Sequence, residues 1–263
     1  MLVRSRRARR AVHAAFLALF LPVFALPFLV VLAASLATRW SGVLPAGATL
    51  EHYRAATDAD ALDALTTSLL TALAASAAAL VTGTWAALAA KGSRARRVID
   101  LLFMLPVAVP SVVVGLSLLV AFSKPPLLLN GTPTIVVLAH AVLVTSFVHR
   151  AVSAALDRLD PAYEQAAASL GASPLRVLLR VKLPLLLPSL SAAAGLCFAL
   201  SMGELSATIM LYPPDWAPLP VKVFAATDRG ALFSGAALAV VLMATTFLAL
   251  LAVSRLRTRA VHR

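Results

Sequence analysis

The chain contains one cysteine, Cys197, so no intrachain disulfide framework can hold it together. Charge is nearly as scarce. Asp, Glu, Lys and Arg make up 13% of the 263 residues, about half the ~25% usual for a globular domain. A soluble domain of this size needs a polar surface that this composition cannot supply. Disorder is excluded as well, because 61% of the residues are apolar and the mean hydropathy is +0.92. Also missing are the short patterns that carry chemistry. There is no G-x-x-x-x-G-K-[ST] phosphate loop, no H-E-x-x-H, no G-x-S-x-G and no C-x-x-C. Any energy drawn from a nucleotide must therefore come from another chain. What remains is a polytopic membrane protein with a single membrane domain.

The chain does have long stretches free of Asp, Glu, Lys and Arg. A helix needs ~20 apolar residues to cross the hydrocarbon core. Six intervals are long enough: Arg10 to Arg39, Asp63 to Lys91, Asp100 to Lys124, Lys124 to Arg150, Lys182 to Glu204 and Arg229 to Arg255. They are continuous rather than alternating, which argues against barrel strands. The expected fold class is all-α, with six transmembrane helices. In the fourth interval Pro125, Pro126, Asn130, Gly131 and Pro133 shorten the expected helix to about residues 134–149. Pro106 and Pro110 interrupt the third interval, with Gly115 beyond them, and a kink is expected there. It is either a packing bend or part of a substrate path. Ala74 with Ala78, Ala75 with Ala79, and Ala231, Gly235 and Ala239 lie at helical spacing, where small residues let backbones approach closely in lipid.

The basic residues suggest an orientation. Of the 23 Lys and Arg residues, 18 fall in the N-terminal tail, the second and fourth connections and the C-terminal tail; 5 fall in the other three connections. By the positive-inside rule both termini are cytoplasmic, and six crossings demand the same parity. The formal net charge of +12 is then a matter of topology and contact with anionic headgroups. No basic soluble face with interleaved aromatics offers itself to nucleic acid. The N-terminal arginines and apolar run read as an uncleaved anchor, too long for a signal peptide.

Three connections are long: 39–63 and 204–230 outside, and 150–182 inside. The inner one reads as two short helices with a turn. Asp160 can cap the first and Pro161 suits its first position. Gly171 supplies a left-handed stop, Ser173 and Pro174 start the second helix, and Leu183-Pro184 leads into the fifth crossing. A small alanine-faced helix with a glycine turn makes a poor core element but fits another protein's groove.

In this loop Gln165-Ala166-Ala167, then Gly171, then Val181, Leu183 and Pro184 match every interval of an E-A-A-x3-G-x9-I-x-L-P motif. The chain thereby resembles the integral membrane subunits of bacterial binding-protein-dependent ABC importers, of the MetI-like type I fold. Gln165 stands where the motif has Glu, with Glu164 beside it as a substitute, and Val181 stands where it has Ile. The resemblance implies residues 62–254 as the transmembrane domain with a coupling loop at 157–183. Residues 1–61 would supply a cytoplasmic tail, a first helix and a periplasmic loop, and 255–263 a cytoplasmic tail. It implies a multi-pass protein of the bacterial inner membrane. The implied partners are two copies of a cytoplasmic ATP-binding subunit, a second permease subunit (identical or related), a periplasmic substrate-binding protein and membrane lipid. No cofactor or metal is implied, and ATP hydrolysis belongs to the partner chain.

Glu204 sits at the end of the fifth interval, where an acid is costly and faces protein or water. It is an interfacial or packing residue, or a cavity residue that contacts substrate. The pattern Gly203-Glu204-x-x-Ala207-Thr208 resembles the subgroup that imports sulfate, molybdate, ferric iron, thiamine and phosphonates. The continuation from Leu211 to Phe224 most resembles 2-aminoethylphosphonate permeases. Ferric iron, thiamine and sulfate or molybdate stay open as cargoes. Among other polar residues, Cys197 reads as a packing residue, His140 as an interhelical hydrogen-bonder and Asp100 as a helix cap. His13, His52, His149 and His262 lack companion carboxylates at metal spacing. An intramembrane enzyme would need paired catalytic groups, and His140 with Thr145 and Ser146 shows no partner motif. A secondary transporter would be favoured by an inverted repeat, and none is visible.

Overall fold

The computed structural model describes residues 5–261, apart from the side chains of residues 6, 7 and 256–261. Arg4, His262 and Arg263 lie outside the described residues. Among those described, secondary structure is helical except for one isolated antiparallel bridge, Arg39 with Ala46. The chain divides into two compact units: residues up to Leu62 with Lys222–Met243, and Asp63–Val221 with the chain from Ala244 onward.

In the first unit α1 (Arg6–Leu36) starts at Ser5, whose hydroxyl accepts from the Ala8 amide at 3.1 Å. The apolar side chains of α1 stay exposed along the membrane-length stretch, with Phe16, Phe20 and Phe24 stacked in series. Such a surface suits hydrocarbon, not water. The short α2 (Glu51–Ala55) is tied to the end of α1 by Tyr53 Oη to Ser35 Oγ at 2.7 Å and His52 Nε2 donating to the Ala37 carbonyl at 3.0 Å.

The second unit is built on α3 (Ala59–Ala90), α6 (Pro133–Arg158) and α9 (Leu183–Met202). Their shared core joins Ala79 and Ala87 of α3, Val144, Val148, Val152 and Leu156 of α6, and Leu186, Ala193 and Cys197 of α9. Of the two alanine pairs on α3, Ala75 and Ala79 are buried while Ala74 and Ala78 are exposed. A Cβ at Gly83 would lie 2.8 Å from Val148 Cβ, so glycine sets how closely α3 approaches α6. Cys197 packs here too, its thiol donating to the Val144 carbonyl at 3.4 Å.

Five helical segments are long and apolar enough to cross a membrane: Ala8–Leu36, Ala59–Ala90, Pro133–Arg158, Pro174–Met202 and Leu232–Arg255, the last lying in α12 (Leu232–Val261). The expected third crossing is instead a broken pair, α4 (Arg96–Ala108) and α5 (Ser111–Ala121), bent by 105°. This is far more than a kink. Pro110 cannot donate, and its ring pushes Val109 out of the helical region, to φ −102° and ψ 134°.

Two boundaries also move. The helix expected at about 134–149 runs from Pro133 to Arg158. At 26 residues it is longer than the hydrocarbon is thick, so Arg150, Asp157 and Arg158 continue it beyond the apolar stretch. The second short helix of the inner loop, α8 (Pro174–Val177), does not stop before the fifth crossing. It passes through one π-helical turn, Leu178–Lys182, straight into α9. The turn bonds the Leu183 amide to the Leu178 carbonyl, and this wider spacing makes room for the ring of Pro184. The connection 204–230 also gains helices, α10 (Thr208–Leu211) and the start of α11 (Leu219–Asp228). It is fastened to α3 by Trp216 Nε1 donating to Thr71 Oγ1 at 3.0 Å and the Leu219 amide donating to Ser68 Oγ at 2.7 Å.

Helix α5 is pressed at Gly115 against Ala207, in the break between α9 and α10. A Cβ on Gly115 would sit 2.9 Å from both Cα and O of Ala207, backbone atoms with little freedom to yield. Gly115→Ala is expected to destabilise the protein by about 1–3 kcal/mol. Gly203→Ala, whose nearest neighbour would be 3.8 Å away, is expected to change stability by less than about 0.5 kcal/mol. Unfolding midpoints of the two variants in detergent measure the difference.

Candidate functional site

The loop between α6 and α9 folds as its residues dictate. Asp160 Oδ1 accepts the Ala162 amide at 2.9 Å, and Pro161 opens α7 (Pro161–Ser169). At the other end Gly171 takes φ +78°. Its amide reaches the Ala168 carbonyl at 2.9 Å and that of Ala172 reaches Ala167 at 3.1 Å, the paired bonds of a Schellman stop. Ser173 Oγ then accepts the Arg176 amide at 3.4 Å.

Around this turn the apolar side chains point outward. Leu170 is 89% exposed, and Tyr163, Leu175 and Leu179 are each more than half exposed. Gln165 and Ala166 are exposed too, Ala167 is half-buried, and the Gln165 carbonyl accepts from Ser169 Oγ. Glu164 is not a free carboxylate: its Oε2 lies 2.8 Å from Lys182 Nζ. That pair joins α7 to the π-helical turn, where Val181 and Leu183 are half-buried and Pro184 is exposed. Glu164 is therefore engaged within the chain, in a part-exposed ion pair.

A cavity of about 220 Å3 lies between the two helix breaks. Pro106, Val107 and Val109 from α4 and its end, Ser111 from α5, and Leu200, Ser201 and Glu204 from the end of α9 contribute to its wall. The structure thus brings Pro106 and Glu204 together. Pro110 does not line the cavity; it sets the break that places Val109 and Ser111 there.

His140 of α6 also lines this cavity, which its sequence gave no reason to expect. It is 2% exposed, with Nδ1 2.6 Å from Ser201 Oγ and Nε2 2.7 Å from Thr208 Oγ1. Counting protons assigns the tautomer. Thr208 Oγ1 gives its proton to the Glu204 carbonyl at 3.0 Å, so Nε2–H donates to Thr208 and Nδ1 accepts from Ser201. Glu204 Oε1 accepts the Ala207 amide at 2.7 Å. The Gly-Glu-x-x-Ala-Thr pattern is therefore a local fold. Gly203 ends α9, Glu204 caps the next turn, Thr208 bonds back to Glu204, and His140 clamps both sides of the break.

A charged network at the other end of α4 was not anticipated. Arg96 holds Asp157 with two bonds, 3.1 and 2.6 Å, and its Nε lies 3.5 Å from Asp100. Asp100 Oδ1 in turn takes His149 Nε2 at 2.8 Å, and the His149 ring stacks on Phe103 at 4.8 Å. Lys91 Nζ donates to the Leu156 carbonyl at 2.7 Å. Asp100 is thus no cap, because α4 begins a turn earlier, at Arg96, and His149 does have a companion carboxylate. Those partners lie 49 and 61 positions apart in sequence, out of reach of any local pattern. Among the described residues no group of three His, Cys, Asp or Glu side chains could hold a metal ion.

Glu204→Gln keeps an oxygen to accept the Ala207 amide and is expected to leave the unfolding midpoint near that of the native chain. Glu204→Leu removes the cap and is expected to cost about 1 kcal/mol. His140→Ala leaves the buried Ser201 hydroxyl without its acceptor, while Thr208 keeps its bond to the Glu204 carbonyl, and is expected to cost roughly 1–3 kcal/mol. Thermal unfolding of the three variants in detergent ranks them.

Residues 79–262 match a family model described as binding-protein-dependent transport system inner membrane component. Over 261 residues, 98% of each chain, the protein is 46% identical to the putative 2-aminoethylphosphonate transport system permease protein PhnV of Salmonella typhimurium. Over 210 residues, 77% of this chain and 70% of the relative, it is 32% identical to the putrescine transport system permease protein PotI of Escherichia coli. Among solved structures it is similar to a bacterial alginate ABC transporter in complex with alginate pentasaccharide-bound periplasmic protein. That match has a TM-score of 0.73 at 16% identity and covers 96% of this chain and 94% of the other. At that identity the match speaks for the fold alone.

Proposed function

Since the chain belongs to the binding-protein-dependent transport system inner membrane components and is a permease subunit of an ABC importer, we propose that its cargo is 2-aminoethylphosphonate. The observation that carries this is the 46% identity to the PhnV permease along 98% of both chains. The 32% identity to the putrescine permease PotI covers less of each chain. The cavity between the helix breaks, with Pro106 and Glu204 on its wall, is on the cargo's route. Its volume of about 220 Å3 suits a small solute.

In this reading α4 and α5 count as one broken crossing, which makes six and puts both termini in the cytoplasm, as the basic residues ask. The loop with Gln165, Ala166, Ala167 and Gly171 then lies inside and docks into a cleft of a cytoplasmic ATP-binding subunit. Leu170 is its knob, and Gly171 is the turn that presents it. Two such ATPase subunits serve a pair of permease subunits, and a cargo-loaded periplasmic protein engages the outer face. ATP acts by binding one arrangement of the complex better than the other. Its hydrolysis belongs to the partner, and the chain itself performs no chemistry and binds no nucleic acid.

Leu170 supports no packing in the chain, being 89% exposed. Leu170→Asp is expected to leave membrane insertion and folding intact. It should weaken co-purification of the ATPase by roughly thirtyfold or more, the effect of losing a central apolar anchor. Cells depending on the importer should lose uptake of radiolabelled 2-aminoethylphosphonate. Undiminished pull-down would remove the docking role, and absence of uptake by the native complex would remove the cargo.

A further inference from the structure

The loop between α6 and α9 is fastened at two points, and each fastening leads to the cavity. On one side Asp157, near the end of α6 and just ahead of the Asp160 cap, is held by both terminal nitrogens of Arg96, the first residue of α4. On the other, Glu164 of α7 is held by Lys182, in the π-helical turn that continues as α9. The far ends of these same two helices carry the cavity wall: Pro106 and Val107 on α4, and Leu200 and Ser201 on α9.

The packing makes the first fastening one of the few contacts that hold α4. No residue of α4 is buried, so no apolar core holds it in place. Its position rests on contacts with α6: Arg96 with Asp157, Asp100 with His149, and Phe103 stacked against His149. A helix of 13 residues is a rod roughly 20 Å long, and the break at Pro110 releases it from following α5. A displacement of its first residue therefore reappears at Pro106.

We propose that the Arg96–Asp157 and Glu164–Lys182 ion pairs are transmission contacts, through which movement of the α7 loop repositions the two helix ends that line the cavity. The proposal rests on the reading of that loop as the ATPase docking site. Arg96, Asp157, Glu164 and Lys182 are positioning residues in this scheme, and none of them touches cargo.

The test uses the whole complex in proteoliposomes: both permease subunits, the ATPase and the binding protein loaded with 2-aminoethylphosphonate. Asp157→Asn and Lys182→Gln are compared with the native chain for ATPase association, ATP hydrolysis and cargo taken up per ATP. Half-exposed ion pairs contribute little to stability, so a purely structural role predicts native ratios. The transmission role predicts retained association and hydrolysis, with uptake per ATP falling by at least about fivefold, the low end of ordinary coupling between sites.

A second arm replaces the salt bridge covalently. Arg96→Cys with Asp157→Cys is joined by a short, reducible bis-thiosulfonate; the arginine's length calls for a spacer, not a direct disulfide. Cys197 is buried and out of the reagent's reach. Bridging should restore the ratio that either single substitution loses, and reductant should abolish it again. Native ratios in the single variants, a bridged pair that stays uncoupled, or loss of ATPase association would each overturn the proposal. A native complex that associates with no ATPase would overturn the docking reading and this inference with it.

Discussion

Hydrocarbon offers no partner to a bare N–H or C=O, so helices can be interrupted there only where the protein supplies the missing bonds. Among the described residues helices break off between α4 and α5 and after α9, and Gly115 of α5 is pressed against Ala207 in the second break. The arrangement depends on His140. Its ring is fixed as one neutral tautomer because Thr208 has already given its proton to the Glu204 carbonyl. One nitrogen then holds Ser201, before the break, and the other holds Thr208, after it. Were the clamp absent, the Ser201 hydroxyl and the ring would be buried without partners, and α6 would lose its hold on both sides of the break. The cavity exists because these breaks leave space that the clamp prevents from collapsing.

Whatever depended on composition and on neighbours along the chain was legible in the sequence. The long apolar helices, the Asp160 cap, the Gly171 stop and the start at Ser173 follow from residues within a few positions of one another. The bend at Pro106 and Pro110 was legible in place but not in size. Proline says where a helix loses its bonds, whereas the angle of 105° is set by what packs around it. The π-helical turn before Pro184 was hidden for a similar reason: the i−5 spacing is a way of accommodating a ring, and no residue type announces it.

Charge misled where it was used to mark helix ends. The intervals without charge were read as the helices, yet α4 starts at Arg96 and α6 runs on to Arg158. Charged residues in the last turns of a long helix emerge from the apolar layer and pair with one another. Arg96 with Asp157 and Asp100 with His149 are such pairs. They join helices distant in sequence, so Asp100 could be taken for a cap and its pairing with His149 was not legible. Arg96, one of the basic residues counted toward orientation, thus also fastens a helix end.

Glu204 shows how a motif can be specific without specifying cargo. The Gly-Glu-x-x-Ala-Thr pattern resembles one found in importers of sulfate, ferric iron and phosphonates, solutes with little chemistry in common. A carboxylate that selected cargo by charge could not serve anions and a trivalent cation alike. One that caps a turn can, because its partner is the Ala207 amide of its own chain. The pattern thus encodes the break beside the cavity. The cavity wall also carries the apolar side chains of Val107, Val109, Leu143 and Phe147. Their side chains enter no hydrogen bond of the clamp, which is made by His140, Ser201, Glu204, Ala207 and Thr208 alone.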